Sequence, residues 1–135
     1  MAEINSLKNT DANNTERFNG AKNVSELDNA GQALEGMLSR FFKDNDGTNT
    51  TTGSDTAYVL AGNRTGVTEN KDVRTCLVRF HVENDGAATF QFNSLPALPL
   101  RKRGNAELEA GDINTNDICL VVYNPAWNAY QVIGI

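Results

Sequence analysis

From Ala57 onward the apolar residues recur at every second position, and that rhythm restricts the fold more than any other property of the chain. A period of two places alternate side chains on opposite faces of an extended strand. Over 73–82, Cys76, Val78, Phe80 and Val82 share one face, while Arg74, Thr75, Arg79 and His81 supply the more polar positions. The same reading makes 57–60 a short first strand, puts Phe90 and Phe92 on one face of 88–93, and makes 117–123 and 129–135 the last two strands. Turn residues separate these runs. Glu83-Asn84-Asp85-Gly86 carries the Asp-Gly hairpin signal, and Arg103-Gly104-Asn105, Glu109-Ala110-Gly111-Asp112 and Asn124-Pro125-Ala126-Trp127-Asn128 follow. Pro96 and Pro99 confine 95–100 to an edge or bulged strand. Short strands at this spacing predict a mainly β protein in which 56–135 forms a small antiparallel β-sandwich or barrel. A sheet completed by the last residues is expected to leave no room for a catalytic domain downstream.

The first part of the chain reads differently. Residues 1–24 are polar and Asn-rich without periodicity, an extended arm expected to order only by docking. Ser25-Glu26-Leu27-Asp28 is a capping-box pattern that opens a helix, and Asp44-Asn45-Asp46-Gly47 closes it, so a helical segment is expected over 25–47. Inside it Leu27, Ala30, Leu34, Met37 and Phe41 follow steps of three and four, with Leu38 and Phe42 widening the stripe. A lone helix of this length is marginal in water. Its stripe must therefore lie on its own sheet, on copies of the chain or on a larger partner, and Leu27, Ala30, Leu34, Met37, Leu38 and Phe41 are the expected docking or oligomerisation face. Thr48 to Asp55 (TNTTTGSD) reads as a flexible linker and the best domain boundary. With 39% hydrophobic residues, one core is more reasonable than two.

Chemistry finds little purchase. The net charge of −5 opposes binding to nucleic acid or to an anionic membrane surface, and no window is apolar for long enough to span a bilayer. The polar N-terminus has no secretory pattern, so the four N-x-[ST] sequons carry no weight and a cytosol-like compartment is expected. Cys76 and Cys119 stand outside any metal-ligand spacing and read as buried thiols, with a disulfide between them as the alternative. His81 is the single histidine and has no nucleophile beside it. Asp44–Gly47 fails the calcium-loop spacing, since its Gly stands fourth and no Glu follows at twelve. Asp112 and Asp117 read as turn formers, and Arg101-Lys102-Arg103 as a solvated hairpin turn, with contact to nucleic-acid phosphates or to an acidic patch on a neighbouring subunit as the alternative. No catalytic, cofactor or metal residues are expected, and no enzyme activity.

Asn84 to Phe92 (NDGAATFQF), Leu98 to Leu108 (LPLRKRGNAEL) and Ala110 to Ile113 (AGDI), together with the aromatic-bearing final hairpin from Val121 to Ile133, resemble a module of tailed-bacteriophage appendage proteins. In that module a strand ending in NTGAATLNV precedes KPI.K..G..L.AGDI and a last hairpin. Thr10 to Thr15, Arg17-Phe18, the helix around Leu34 to Phe42, the DNDG turn and the Thr/Gly stretch are similar to the N-termini of tail fibres. The resemblance implies a non-enzymatic virion structural protein, assembled in the host cytoplasm, attached by its arm and helix to tail, portal-type or capsid proteins, and trimeric. A capsid-decoration or head-fibre protein is the neighbouring reading. A glycan-binding receptor module is a separate one; its aromatics would be Tyr123, Trp127 and Tyr130, although the Asn124–Trp127 turn departs from the DGT-plus-aromatic turn of the family.

Overall fold

The computed structural model describes residues 24–135. It is mainly β, with one long helix, α1 (Val24–Asp44), preceding the sheet. The polar arm expected over 1–24 lies outside the described residues except for Val24, which already belongs to α1, and so do the side chains of the Ser25–Glu26 cap. Asp44 ends the helix. Asn45 then turns back, its side-chain Nδ2 donating to the Phe41 carbonyl and its backbone N–H to the Phe42 carbonyl, both at 2.9 Å, and Gly47 adopts φ +79, a backbone that side-chain-bearing residues rarely take.

The strands are β1 (Thr52–Gly53), β2 (Ala57–Leu60), β3 (Thr75–Arg79), β4 (Ala88–Phe92), β5 (Leu98–Lys102), β6 (Ala106–Glu107), β7 (Ile118–Asn124) and β8 (Ala129–Ile133), with a one-turn helix, α2 (Asn70–Val73), before β3. They form a single sheet in the order β1-β2-β4-β5-β8-β7-β3, with β6 added on β5. Alternation was the right guide to the core. Cys76, Val78 and Phe80, then Phe90 and Phe92, then Val121 and Val132 all point into one buried cluster around Tyr58, Leu60 and Tyr130.

Four expectations need correction. The sheet is mixed and does not close into a barrel: β2 runs parallel to β4, and β5 parallel to β8, because the chain crosses over between these partners instead of returning through tight turns. The Asp85-Gly86 turn makes no hairpin, since β3 pairs with β7 while β4 lies between β2 and β5. Strand β5 is internal despite Pro99; its ladder with β8 registers only Leu100 and Arg101, past the residue that lacks an N–H. The final hairpin, β7–β8, is as expected, with Asn124 opposite Ala129.

The fourth correction concerns 48–55, which is part of the sheet and not a free linker. Arg79 N–H donates to the Asn49 carbonyl and Thr51 N–H to the Arg79 carbonyl, both at 2.9 Å, so the segment lies along the outer edge of β3 before its next residues pair with β2 as β1. Thr51 is buried. Its hydroxyl oxygen accepts from the His81 backbone N–H at 3.1 Å and lies 2.9 Å from His81 Nδ1, while His81 Nε2 lies 3.2 Å from the Gly53 carbonyl. The lone histidine thus fastens this segment across the seam between the two outermost strands. Small hydroxyl residues, read from composition as flexibility, here satisfy the backbone of an edge.

Candidate assembly surface

Helix α1 is joined to the β domain through its last turn. Asp44 is fully buried and accepts on Oδ1 from Asn63 N at 2.7 Å and Asn63 Nδ2 at 2.9 Å, and on Oδ2 from Arg64 N at 3.2 Å and Arg64 Nε at 2.7 Å. Arg64 is buried as well. Its Nη1 donates to the Val73 carbonyl, its Nη2 lies 3.0 Å from the Thr75 carbonyl and 3.2 Å from Cys76 Sγ, and its guanidinium is flanked by the rings of Phe41 and Phe92 at 5.7 and 5.3 Å. A buried ion pair survives only when its remaining donors and acceptors are met, as they are here. Next to it, Thr75 Oγ1 donates to Asn45 Oδ1 at 3.0 Å. These bonds tie the C-terminal end of α1 to Asn63 and Arg64 and, through Thr75, to β3.

The expected docking face divides in two. Ala30 and Met37 are buried and Leu34 and Phe41 half-buried, so that edge of the stripe is already covered. Leu27 remains 42% exposed, Leu38 40% and, beyond the expected six, Phe42 64%. The sheet face opposite the core is also apolar around β7 and β8, where Ile118, Leu120 and Ile133 are exposed and Leu120 stands opposite Ile133. Gly47 packs near this face: a Cβ there would lie 3.2 Å from Ile118 and 3.4 Å from Leu77. Strand alternation could have found the β7 residues, because Ile118, Leu120 and Val122 occupy the phase opposite to Cys119, Val121 and Tyr123.

The three aromatics expected at a binding surface part company. Tyr130 is fully buried, its ring edge-on to Phe90 at 4.9 Å and its hydroxyl donating to Asn70 Oδ1 at 2.7 Å, so it is a core residue and not a surface one. Desolvation raises its pKa well above the usual phenol value, so it stays a neutral donor. Trp127 is half-buried in the β7–β8 turn. Tyr123, half-buried, is 3.3 Å by its hydroxyl from Asn128 Oδ1, and with Asn70, Lys71, Pro96 and Asn128 lines an open groove of about 360 Å³.

The remaining charged motifs are structural. Lys102 Nζ lies 2.8 Å from Asp112 Oδ2 and 3.4 Å from Glu109 Oε1, and Arg101 pairs with Glu107 at 3.1 Å, so the first two charges of the basic run turn onto acids of β6 and of the loop that follows it. Asp112 also accepts from Glu109 N–H at 2.7 Å and Asp117 from Asn114 N–H at 2.7 Å, the turn-forming roles expected of them. The hydrogen bond from Lys102, joined by that from the Glu109 backbone, holds the Asp112 carboxyl below its usual range, and the bond to Asp112 raises Lys102. Burial pushes the Cys76 thiol up to about 12, and raises Cys119 as well. Both cysteines are free thiols, not a disulfide. Among the described residues no group of three or more His, Cys, Asp or Glu could hold a metal ion, and no helix is long and apolar enough to cross a membrane.

The NDGA and AGDI pieces of the chain meet in space. Asn84 is buried; its Nδ2 donates to the carbonyls of Gly86 and Glu109, both at 2.8 Å, and its Oδ1 accepts from Ile113 N–H at 2.8 Å. Backbone bonds from Asn84 N to the Ile113 carbonyl and from Gly111 N to the Asn84 carbonyl complete the clasp between NDGA and AGDI. These motif residues hold one loop to another. No protein-family model matches the chain, and no curated protein matches it.

Proposed function

We propose that this chain is a non-enzymatic structural protein of a tailed-phage particle, of the tail-fibre or tail-adaptor type, held in place through its N-terminal third. The observation that carries this reading is the exposed apolar stripe of Leu27, Leu38 and Phe42 on a helix whose C-terminal end is locked to the β domain by Asp44 and Arg64. Exposing such a stripe costs solubility unless something covers it. Anchoring its helix rigidly presents that surface in one fixed orientation, which suits a docking element. The clasp at Asn84 supports the same reading, because it gives the NDGA and AGDI pieces a role in building the module. A capsid-decoration protein would use the same face. Sedimentation of phage particles through a density gradient tests the proposal: the protein is expected to band with intact particles, and its confinement to the soluble fraction would contradict a structural role.

One observation favours a second role, glycan contact. Tyr123 offers a half-exposed ring in a groove with Asn128 and Lys71, the mixture of aromatic face and fixed polar groups that sugars require. Tyr123→Ala is expected to abolish binding on a glycan array, and an array with no signal for the unaltered protein removes this role.

A further inference from the structure

The groove beside Tyr123 is shaped by a strained turn. Arg74, between α2 and β3, has φ 62 and ψ −85, and the other side-chain-bearing residues with positive φ among those described are all asparagines. Arginine takes this backbone rarely, and strain of this kind gathers at ligand sites. The Arg74 carbonyl accepts from Tyr123 N–H at 2.9 Å, which brings the end of α2 alongside β7. Asn70 of α2 fixes the join: its Oδ1 accepts from the Tyr130 hydroxyl at 2.7 Å and its Nδ2 donates to the Pro96 carbonyl at 3.0 Å. Tyr123 stands edge-on to Tyr130, ring centroids 5.9 Å apart, and its hydroxyl donates to Asn128 Oδ1 at 3.3 Å. The walls are thus set before a ligand arrives, which lowers the entropy lost on binding.

Two properties of the lining select a ligand. Asn128 is exposed and uses its Oδ1 on Tyr123, while its Nδ2 has no hydrogen-bond partner among the described residues. Its two N–H donors are therefore open to the hydroxyls of a sugar whose apolar face lies on the Tyr123 ring. The charges, by contrast, are already matched. Glu69 and Lys71 are the charged residues of the lining and pair with each other, and the hydrogen bond to Glu69 raises Lys71, so the ammonium stays charged beside its acid. Segment 69–74 as a whole holds two acids and two bases, and the chain carries −5. A carboxylate-bearing sugar would have to displace Glu69 from Lys71 and then sit beside it, in a field that repels anions. We propose that the groove takes a neutral carbohydrate, stacked on Tyr123 and hydrogen-bonded by Asn128, and discriminates against sialic and uronic acids. This rests on the glycan reading of the same groove given above.

A glycan array carrying glucose, galactose and N-acetylglucosamine beside N-acetylneuraminic and glucuronic acids tests this, followed by titration of the full chain with the neutral sugar that gives the strongest signal. Trp127, the only tryptophan, precedes Asn128 in the β7–β8 turn, so its emission follows occupancy of the groove. Binding is expected on neutral sugars alone and unchanged between low and high salt. Lys71→Ala is expected to leave the affinity within about two-fold, since that ammonium pairs inside the protein. Asn128→Asp keeps the acceptor for Tyr123 and a residue type that tolerates the positive φ of this position, but removes both N–H donors. Its affinity is expected to fall about five-fold or more, with an unaltered circular dichroism spectrum. Signal on the acidic sugars, alone or equally, a steep loss with salt, or dependence on Lys71 would overturn the neutral assignment and leave the glycan reading standing. Binding undiminished by Asn128→Asp would remove this groove as the site, and no signal on any sugar would overturn both.

Discussion

Arg64 Nε and Asp44 Oδ2 lie 2.7 Å apart, both fully shielded from water, and through them a loop of the β domain grips the final residue of α1. Removing either partner leaves a charge buried without its counterpart. Asp44→Asn or Arg64→Met is expected to cost about 3–5 kcal/mol in urea unfolding. The double variant is expected to lose distinctly less than the sum, because the two residues serve one network.

Deletion of residues 1–53 removes Asp44, the buried Thr51 and all of β1. A chain starting at Ser54 is expected to be unfolded or aggregated by circular dichroism, although composition alone places a clean boundary there.

Gly62 is needed for space and not for its dihedral. A Cβ at that position would fall 1.9 Å from Cζ of Phe92, a fully buried ring that also stacks on Arg64. Gly62→Ala is expected to destabilise the fold by about 1–3 kcal/mol in thermal or urea unfolding, and Phe92→Leu in the same chain to recover part of it.

Asn84→Leu fills similar volume but leaves the Gly86 and Glu109 carbonyls and the Ile113 N–H without their side-chain partner. A loss of about 2–4 kcal/mol is expected, with accelerated amide exchange confined first to the 109–113 loop.

The Lys102–Asp112 pair sets two limbs of the pH dependence. Asp112 has a folded pKa below its ordinary 3.8, so its contribution is present above that value and is lost as pH falls through the lower folded value. Lys102 has a folded pKa above 10.5, so its contribution is present below 10.5 and is lost as pH rises through the higher folded value. Lys102→Met is expected to flatten the acid limb of Tm against pH in calorimetry; an unchanged limb would place the acid sensitivity elsewhere.

Much of the fold was legible because alternation is a direct record of which face is wet. Cys76, Val78, Phe80, Phe90 and Phe92 all went inward as their spacing required. Pairing was not legible: nothing local tells β4 to lie beside β2 and β5 instead of β3, since that choice follows from long-range packing. Nor was the Arg64–Asp44 bond. An Asp in a DNDG run looks like a helix stop, an Arg between Asn63 and Thr65 looks solvated, and only the fold brings them together under Phe41 and Phe92. The helix stripe was read correctly as an apolar surface, but its division between covered Ala30 and Met37 and exposed Leu27 and Leu38 depends on where the sheet sits. Tyr130 was misplaced because alternation in a two-sided strand leaves open which phase is the core.

The most direct measurement is the number of copies of this protein per purified particle, for the unaltered chain and for Leu38→Asp with Phe42→Asp, quantified by mass spectrometry. The unaltered chain is expected at a fixed copy number and the variant, folded by circular dichroism, at about ten-fold less or lower. Equal incorporation of the two, or particles without the unaltered chain, would contradict an assembly role for the exposed face of α1.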